Sequence, residues 1–112
     1  MTESPSLDLV FAALAHPARR AMLAQLARGD LTVNALAAPF DMSLPAISRH
    51  LKVLEDAGLV ERERRGQFRP CRIRTAPLQD IARWTEQYRP IWDARFDVME
   101  GLLTAEKDNR DE

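Results

Sequence analysis

Cysteine is almost missing from the chain, since Cys71 is the only one in 112 residues. One thiol cannot form a disulfide within the chain, which agrees with a reducing compartment. Long apolar runs are missing as well, and the N-terminal MTESPSLDLV lacks the basic and then apolar pattern of a signal peptide. We therefore expect a cytoplasmic protein without a membrane segment.

An overall excess of basic residues is also missing. The net charge is −1, which by itself argues against a nucleic-acid-binding protein. The charge is unevenly distributed, however: residues 43–74 carry eight Arg or Lys and four acids, a net +4 that leaves −5 for the remainder. A basic patch on an acidic body is typical of a DNA-binding surface, because phosphate contacts are local.

Catalytic patterns are absent too. The sequence holds no nucleophile and base with a supporting motif, no phosphate-binding glycine loop and no metal ligand set. We do not expect an enzyme. The length suits a single domain with a modest core, and a chain of this size gains stability from dimerisation.

Residues 43–59, SLPAISRHLKVLEDAGL, predict an amphipathic helix with both ends marked. Ser43 is a favoured N-cap, Pro45 suits a first turn, and Gly58 suits the left-handed position that ends a helix. Ile47, Leu51 and Leu54 share one face by the helical period. The opposite, outer face carries Pro45, Ser48, Arg49, Lys52 and Asp56.

Turn and cap signals divide the preceding residues into three helices, at 6–15, 17–28 and 33–38. Ser6 and Thr32 are predicted caps, and Pro17 breaks the first helix and starts the second. Residues 1–5 are expected to be disordered. The third helix, a turn and the helix from Ser43 together predict a helix-turn-helix.

An arginine-rich hairpin is predicted directly after this unit. Residues 59–65 and 68–74 read as two strands that flank a two-residue turn, Gly66-Gln67. Pro70 cannot donate to a central ladder, so its strand is expected to be short or at an edge. Such a hairpin is a wing, in which one or two arginines are expected to pair with Glu61 and Glu63.

One long helix is predicted from Ala76 to about Thr104, capped by Thr75. Its apolar residues cover about 160° of the circumference, too wide a stripe for one partner. We therefore expect one edge to pack on its own domain and the other on a second subunit. Pro90 is expected to curve this helix, and residues 105–112 are expected to form a loose charged tail.

The segments ALAHPARRAMLAQL, LTVNALAAPFDMSLPAISRHLKVLEDAGLV and ERERRGQFRPCRI resemble the winged helix-turn-helix core of the ArsR family of bacterial transcriptional repressors. The resemblance covers roughly residues 7–104. It implies a fold ordered α-α-α-α-β-β-α and a homodimer formed through the first and last helices. It also implies an inverted-repeat DNA operator, autoregulation, and a small effector, often a metal ion, that releases the DNA.

Carried over by position, the resemblance assigns DNA contacts and a dimer interface. The recognition-helix contacts are Ser43, Leu44, Pro45, Ala46, Ser48, Arg49 and Lys52. The wing contacts are Arg62, Arg64, Arg65, Gln67, Arg69 and Arg72. The dimer residues are Leu7, Val10, Phe11, Leu14, Trp84, Tyr88, Ile91, Trp92, Arg95, Phe96, Met99 and Leu102.

Two positions qualify this assignment. Many family members carry Gln where this chain has Leu44, so an amide contact to a base is replaced by an apolar one, such as to a thymine methyl. Arg95 lies inside the apolar stripe, where a charge needs a partner, and we predict a pair across the dimer with Asp93, Glu100 or Asp8.

The family's metal sites use Cys pairs on the third helix or carboxylate and His clusters on the last helix, and neither helix here has Cys or His. We expect no metal and no other cofactor. His50 is interpreted as a boundary residue bonded to a neighbouring helix rather than a base reader.

Two alternative functions stay open. A winged-helix module that binds protein would use the aromatic stripe or the outer face of the helix from Ser43. A redox-responsive repressor would use Cys71, because arginine neighbours lower a thiol pKa, although a small apolar strand residue is the plainer interpretation.

Overall fold

The computed structural model describes residues 5–63 and 69–110. Its elements are α1 (Pro5–Leu14), α2 (Pro17–Leu26), β1 (Leu31–Thr32), α3 (Val33–Ala37), α4 (Leu44–Asp56), β2 (Val60–Arg62), β3 (Pro70–Ile73), α5 (Ala76–Glu86) and α6 (Arg89–Arg110). The chain forms two compact units, Met1–Asp80 and Ile81–Glu112. The predicted class, mainly helical with a small β-hairpin, is confirmed.

The core of the first unit is built from the inner faces of its helices and from the sheet. α4 packs against α1, α2, α3 and β2, and its buried residues Ile47, Leu51 and Leu54 follow the helical period that the sequence shows. The buried apolar residues are Val10, Ala13, Met22, Leu23, Leu26, Leu36, Ile47, Leu51, Leu54, Ala57, Leu59, Val60 and Cys71.

The sheet has one strand more than the sequence predicts. The short β1 pairs with β3, so β3 is the central strand of the order β1-β3-β2. The strand that begins at Pro70 was expected to be short or at an edge, and it is short, with four residues, but central. Pro70 is tolerated because it is the first residue of β3, where its carbonyl still accepts from Glu63 N–H at 3.0 Å.

The predicted last helix is two helices. α5 ends at Glu86 and α6 begins at Arg89, so Pro90 separates two helices rather than curving one. Pro90 has no N–H to bond the carbonyl of Glu86, where α5 ends, and proline is well tolerated in the first turn of the helix that follows. Tight turn bonds fill the gap, from Tyr88 N–H to the Thr85 carbonyl and from Ile91 N–H to the Tyr88 carbonyl.

Two predicted boundaries shift. α1 begins at Pro5, so Ser6 lies inside its first turn rather than at the cap, because proline is well suited to the first helical position. α6 continues to Arg110, whereas a loose tail was expected from residue 105. Ala105, Glu106 and Lys107 are good helix formers, which favours this continuation.

Candidate nucleic-acid interface

Both ends of α4 are fixed by local hydrogen bonds. The Ser43 hydroxyl accepts from Ala46 N–H at 3.3 Å, as its N-cap position predicts. At the other end Gly58 has φ +76°, and Leu59 N–H bonds the Leu54 carbonyl at 2.9 Å. This is the Schellman pattern that a left-handed glycine permits. The cap and the stop that the sequence predicts are both confirmed.

α3 and α4 form the predicted helix-turn-helix. α3 is capped by Thr32, whose hydroxyl accepts from Ala35 N–H at 3.2 Å. Its buried Leu36 faces the core, and α3 packs on α4 across a turn at 38–43. The unit therefore holds the inner face of α4 against the body and leaves its outer face open.

The outer face of α4 is exposed and polar at its N-terminal half. Ser43, Pro45, Ser48 and Arg49 are exposed, and Ala46 is half-buried. Arg49 takes part in no ion pair within residues 5–63 and 69–110. Lys52 Nζ lies 3.0 Å from Asp56 Oδ1, and both side chains are mostly exposed. Such a surface pair is weak, so a phosphate can replace the carboxylate.

The hairpin after α4 has the predicted pairing. β2 and β3 are antiparallel, with Glu61 opposite Arg72 and Arg62 opposite Cys71. Arg69 is exposed beside β3. The predicted turn at Gly66-Gln67 and the predicted contacts Arg64, Arg65 and Gln67 lie outside the described residues.

Two predicted wing contacts are engaged with acids of their own chain. Arg72 donates from Nε and Nη2 to Asp30 Oδ2 at 3.1 and 3.0 Å, and from Nη2 to Glu63 at 3.3 Å. Its pKa is raised, first by the hydrogen bond to Asp30 and then by the charges of Asp30 and Glu63. Arg72 is therefore a brace between the start of β1 and the wing, and its predicted contact with DNA stays a prediction.

Arg62 is likewise turned inward. Its Nε lies 3.2 Å from Glu55 Oε1, close enough for charge attraction but without the geometry of a hydrogen bond. Arg74 donates to Glu61 at 3.2 Å. The expectation that one or two arginines pair with Glu61 and Glu63 is confirmed. The pairs with Glu55 and Asp30 were not predicted, because these acids lie outside the hairpin, in α4 and just before β1.

His50 contacts α2, as predicted. Its Nδ1 lies 3.1 Å from Arg19 Nη1, and its ring centroid lies 4.5 Å from that of His16. Burial lowers the pKa of His50, and the positive fields of His16, Arg19 and Arg49 lower it further. His50 is therefore a boundary residue of the core side and not a base reader.

Arg19 was not singled out by the sequence. It donates to the carbonyls of Ala13 and Ala12, the last turn of α1, at 2.7 and 3.1 Å. Arg20 donates to the Leu14 carbonyl at 2.6 Å. Helix ends leave carbonyls unpaired, and guanidinium groups one helix away are suitable donors for them. Two adjacent arginines after a helix-breaking His-Pro were the available signal.

Cys71 is fully buried in the central strand. Burial raises the pKa of its thiol and outweighs the opposing field of Arg62. A buried neutral thiol is a poor nucleophile and reacts slowly with oxidants. The interpretation of Cys71 as a small apolar strand residue is confirmed. Arg62 lowers the thiol pKa, as expected of an arginine neighbour, but burial outweighs this effect and the net pKa is raised.

Large apolar side chains are exposed on α1, α5 and α6 and in the turn between α5 and α6. They are Leu9, Phe11, Trp84, Tyr88, Ile91, Trp92, Met99, Leu102 and Leu103. Leu7 and Leu14 are half-buried. Val10 is only 1% exposed, so it belongs to the core of its own chain and not to the expected dimer contact. The Phe96 side chain lies outside the described residues.

Neither metal ligands nor a membrane segment is found in the part of the chain described. No group of three or more His, Cys, Asp or Glu is placed to hold a metal ion there. No helix in that part is long and apolar enough to cross a membrane.

Three comparisons with known proteins agree. Residues 14–63 match a family model described as a helix-turn-helix domain. The chain is 40% identical over 78 residues to "Transcriptional repressor SdpR" of Bacillus subtilis (strain 168), a match covering 70% of this chain and 87% of that protein.

Two solved structures are also similar. The crystal structure of an ArsR family transcriptional regulator, RHA00566, has a TM-score of 0.73 at 40% identity, over 79% of this chain and 97% of that one. The homodimeric winged helix-turn-helix DNA-binding domain of Mb0332 from Mycobacterium bovis has a TM-score of 0.58 at 32% identity, over 81% and 82%. This chain therefore belongs to the ArsR family of winged helix-turn-helix transcriptional regulators, which are DNA-binding proteins and not enzymes.

Proposed function

We propose that this regulator is a homodimeric, sequence-specific repressor that binds an inverted-repeat operator, including one at its own promoter. The observation that carries the proposal is the outer face of α4, which is exposed along its N-terminal half and holds Arg49 without an acidic partner in the described residues. An α-helix presented in this way fits the major groove.

The first two turns of α4 are the proposed reader. Ser43, Leu44, Pro45, Ala46 and Ser48 line the leading end, and Arg49 is the candidate for a bidentate contact with guanine. Lys52 stands behind them for phosphate. The proposed wing contacts are Arg64, Arg65, Gln67 and Arg69. Arg62 and Arg72 are left out because their own acids engage them.

The proposed partner of the exposed apolar residues is a second copy of the chain. Large exposed apolar side chains recur along α5, the turn after it and α6: Trp84, Tyr88, Ile91, Trp92 and Met99. The similar Mb0332 domain is homodimeric. A dimer would present two copies of α4 to successive major grooves about 34 Å apart. Arg95 is proposed to pair across this interface, so Arg95→Ala should weaken dimerisation in analytical ultracentrifugation.

Repression is proposed to follow from occupancy of the promoter. The proposed place of action is the cytoplasm, where bacteria such as Bacillus subtilis, the source of a similar protein, keep their DNA. The similar protein SdpR is named a transcriptional repressor. A dimer seated on the promoter would exclude the polymerase from the same DNA.

The test is a titration of labelled DNA from the region upstream of the gene, at several salt concentrations. We expect saturable binding by two chains per site, with an affinity that falls as salt rises because counterions are released from phosphates. Absent or salt-insensitive binding would contradict the proposal and favour a module that binds protein.

A further inference from the structure

Leu44 is an apolar residue left in the open at the leading end of α4. It is the first residue of the helix and is 50% exposed. By helical spacing it shares a side with Ile47 and Leu51, which are fully buried. The core therefore covers Ile47 and Leu51, whereas Leu44 extends beyond it.

The backbone around Leu44 is held in place. Ser43 caps the helix before it, and Pro45 fixes φ directly after it. Ser48 lies one turn further along, on the side of Leu44 that faces away from Ile47 and Leu51, and it is exposed, as is Arg49 after it. Leu44 is therefore an apolar side chain on a fixed backbone, and the polar side chains near it in the helix can donate hydrogen bonds.

The chemical groups in the major groove limit what a leucine side chain can recognise there. Leucine can neither donate nor accept a hydrogen bond, and the apolar group that a base pair presents in that groove is the C5 methyl of thymine. The leading residues of a recognition helix are the ones that reach base edges. We propose that Leu44 is a specificity-determining residue that contacts a thymine methyl in each half-site of the operator. This inference rests on the proposed function.

The size of the effect follows from burial of one methyl group. Covering a methyl is worth about fourfold in affinity, so two symmetric half-sites give about fifteenfold. Loss of the thymine hydrogen-bonding groups would be a separate effect, and deoxyuridine avoids it because it differs from thymine only in lacking the methyl.

The experiment first selects binding sites for the wild-type dimer from a random duplex pool. Each thymine of the selected half-site is then replaced, one position at a time, by deoxyuridine, and Kd is measured. We expect one position per half-site at which the replacement weakens wild-type binding about fourfold. The Leu44→Ala variant should bind the thymine and deoxyuridine duplexes equally at that position.

A matched control comes from the same helix. Val53 is an exposed apolar residue of α4, two and a half turns further along, and Val53→Ala should keep the full response to deoxyuridine. Leu44→Gln gives a positive readout, because glutamine pairs well with adenine and should move the preference at that position from thymine to adenine. Neither variant disturbs a buried residue, so both should fold.

The possible outcomes distinguish a wrong role for Leu44 from a wrong assignment of sequence-specific DNA binding. Sites that are selected and bound, but at which no deoxyuridine replacement weakens binding, would overturn the role of Leu44 and leave the repressor intact. An equal deoxyuridine penalty in wild type and Leu44→Ala would overturn it as well. Failure to select any sequence would instead refute specific DNA binding.

Discussion

Arg19 and His50 join the end of α1 to α4. Arg19 Nη1 lies 3.1 Å from His50 Nδ1, and the same guanidinium donates to the carbonyls of Ala12 and Ala13. A guanidinium can only donate, so His50 Nδ1 must accept, and the neutral imidazole carries its proton on Nε2. The helix proposed to join two subunits is thereby tied to the helix proposed to read DNA.

This arrangement predicts a stability that depends on pH. Burial, with the charges of His16, Arg19 and Arg49, lowers the pKa of His50 in the folded state. The unfolded state therefore binds the proton more readily, and the stability present above pH 6.5 is lost as pH falls through the lower folded value. Urea unfolding between pH 5 and 8 should show this loss for the wild type, at about half-unit steps.

The matched variant is His50→Gln, which keeps an acceptor but does not titrate. The difference in unfolding free energy between wild type and His50→Gln should shrink or change sign as pH falls below 6.5. A difference that stays constant across this range would show that His50 is not the group responsible.

Removal of the Arg19 side chain should destabilise the fold. Arg19→Gln leaves the Ala13 carbonyl without its side-chain donor and the Ala12 carbonyl with only the Ala15 N–H, and we expect a loss of about 1–3 kcal/mol in the free energy of unfolding. Arg28→Gln, at an exposed position beyond the end of α2, is the control and should stay within about 0.5 kcal/mol. Equal losses in the two variants would argue against the bridge.

Gly58 is expected to resist substitution because of its backbone and not its surroundings. An added Cβ would meet Pro77 Cγ at an ordinary 3.6 Å, but φ is +76°. Gly58→Ala should therefore cost about 1–2 kcal/mol in thermal or urea unfolding. Gly101→Ala, inside α6 with open space around it, should not destabilise, since alanine favours helix. The same sign for both variants would contradict this assignment.

Removal of an acidic side chain usually tightens DNA binding, and the pair between Asp30 and Arg72 predicts the opposite effect for Asp30. Asp30→Asn removes a negative charge, which alone would tighten DNA binding, yet it also releases Arg72 from the position that orients the wing. We expect weaker operator binding with an unchanged salt slope. Asp41→Asn removes the same charge from an exposed residue before α4 and should tighten binding. Tighter binding by Asp30→Asn would mean that Arg72 is a phosphate contact.

Features set by near neighbours in the chain were predictable, and features set by distant ones were not. Ser43 and Gly58 mark the ends of α4 through bonds within a few residues, so the sequence was sufficient there. The pair between Arg72 and Asp30 was not predicted, because Asp30 lies 42 residues away in the chain, just before β1. Val10 and Phe11 are adjacent apolar residues, and only packing decides that Val10 is buried while Phe11 is exposed.

The prediction of one long helix across Pro90 failed for a different reason. The signal was present in the sequence, but a wide apolar stripe on both sides of it favoured one curved helix. The missing N–H ends the hydrogen-bond ladder whatever the stripe does, and two helices result. An apolar stripe of this kind indicates that its residues share one surface, but it does not indicate that one continuous helix carries them.

The most direct test of the account is the ratio of affinities for the operator and for a scrambled duplex of equal length and composition. The wild-type dimer should prefer the operator by about a thousandfold or more. Arg49→Ala should reduce that ratio mainly by weakening operator binding, whereas Arg69→Ala should weaken both duplexes alike and lower the salt slope by about 0.9 for each phosphate released. A ratio that survives Arg49→Ala unchanged, or that Arg69→Ala abolishes, would contradict the assignment of α4 as the reader.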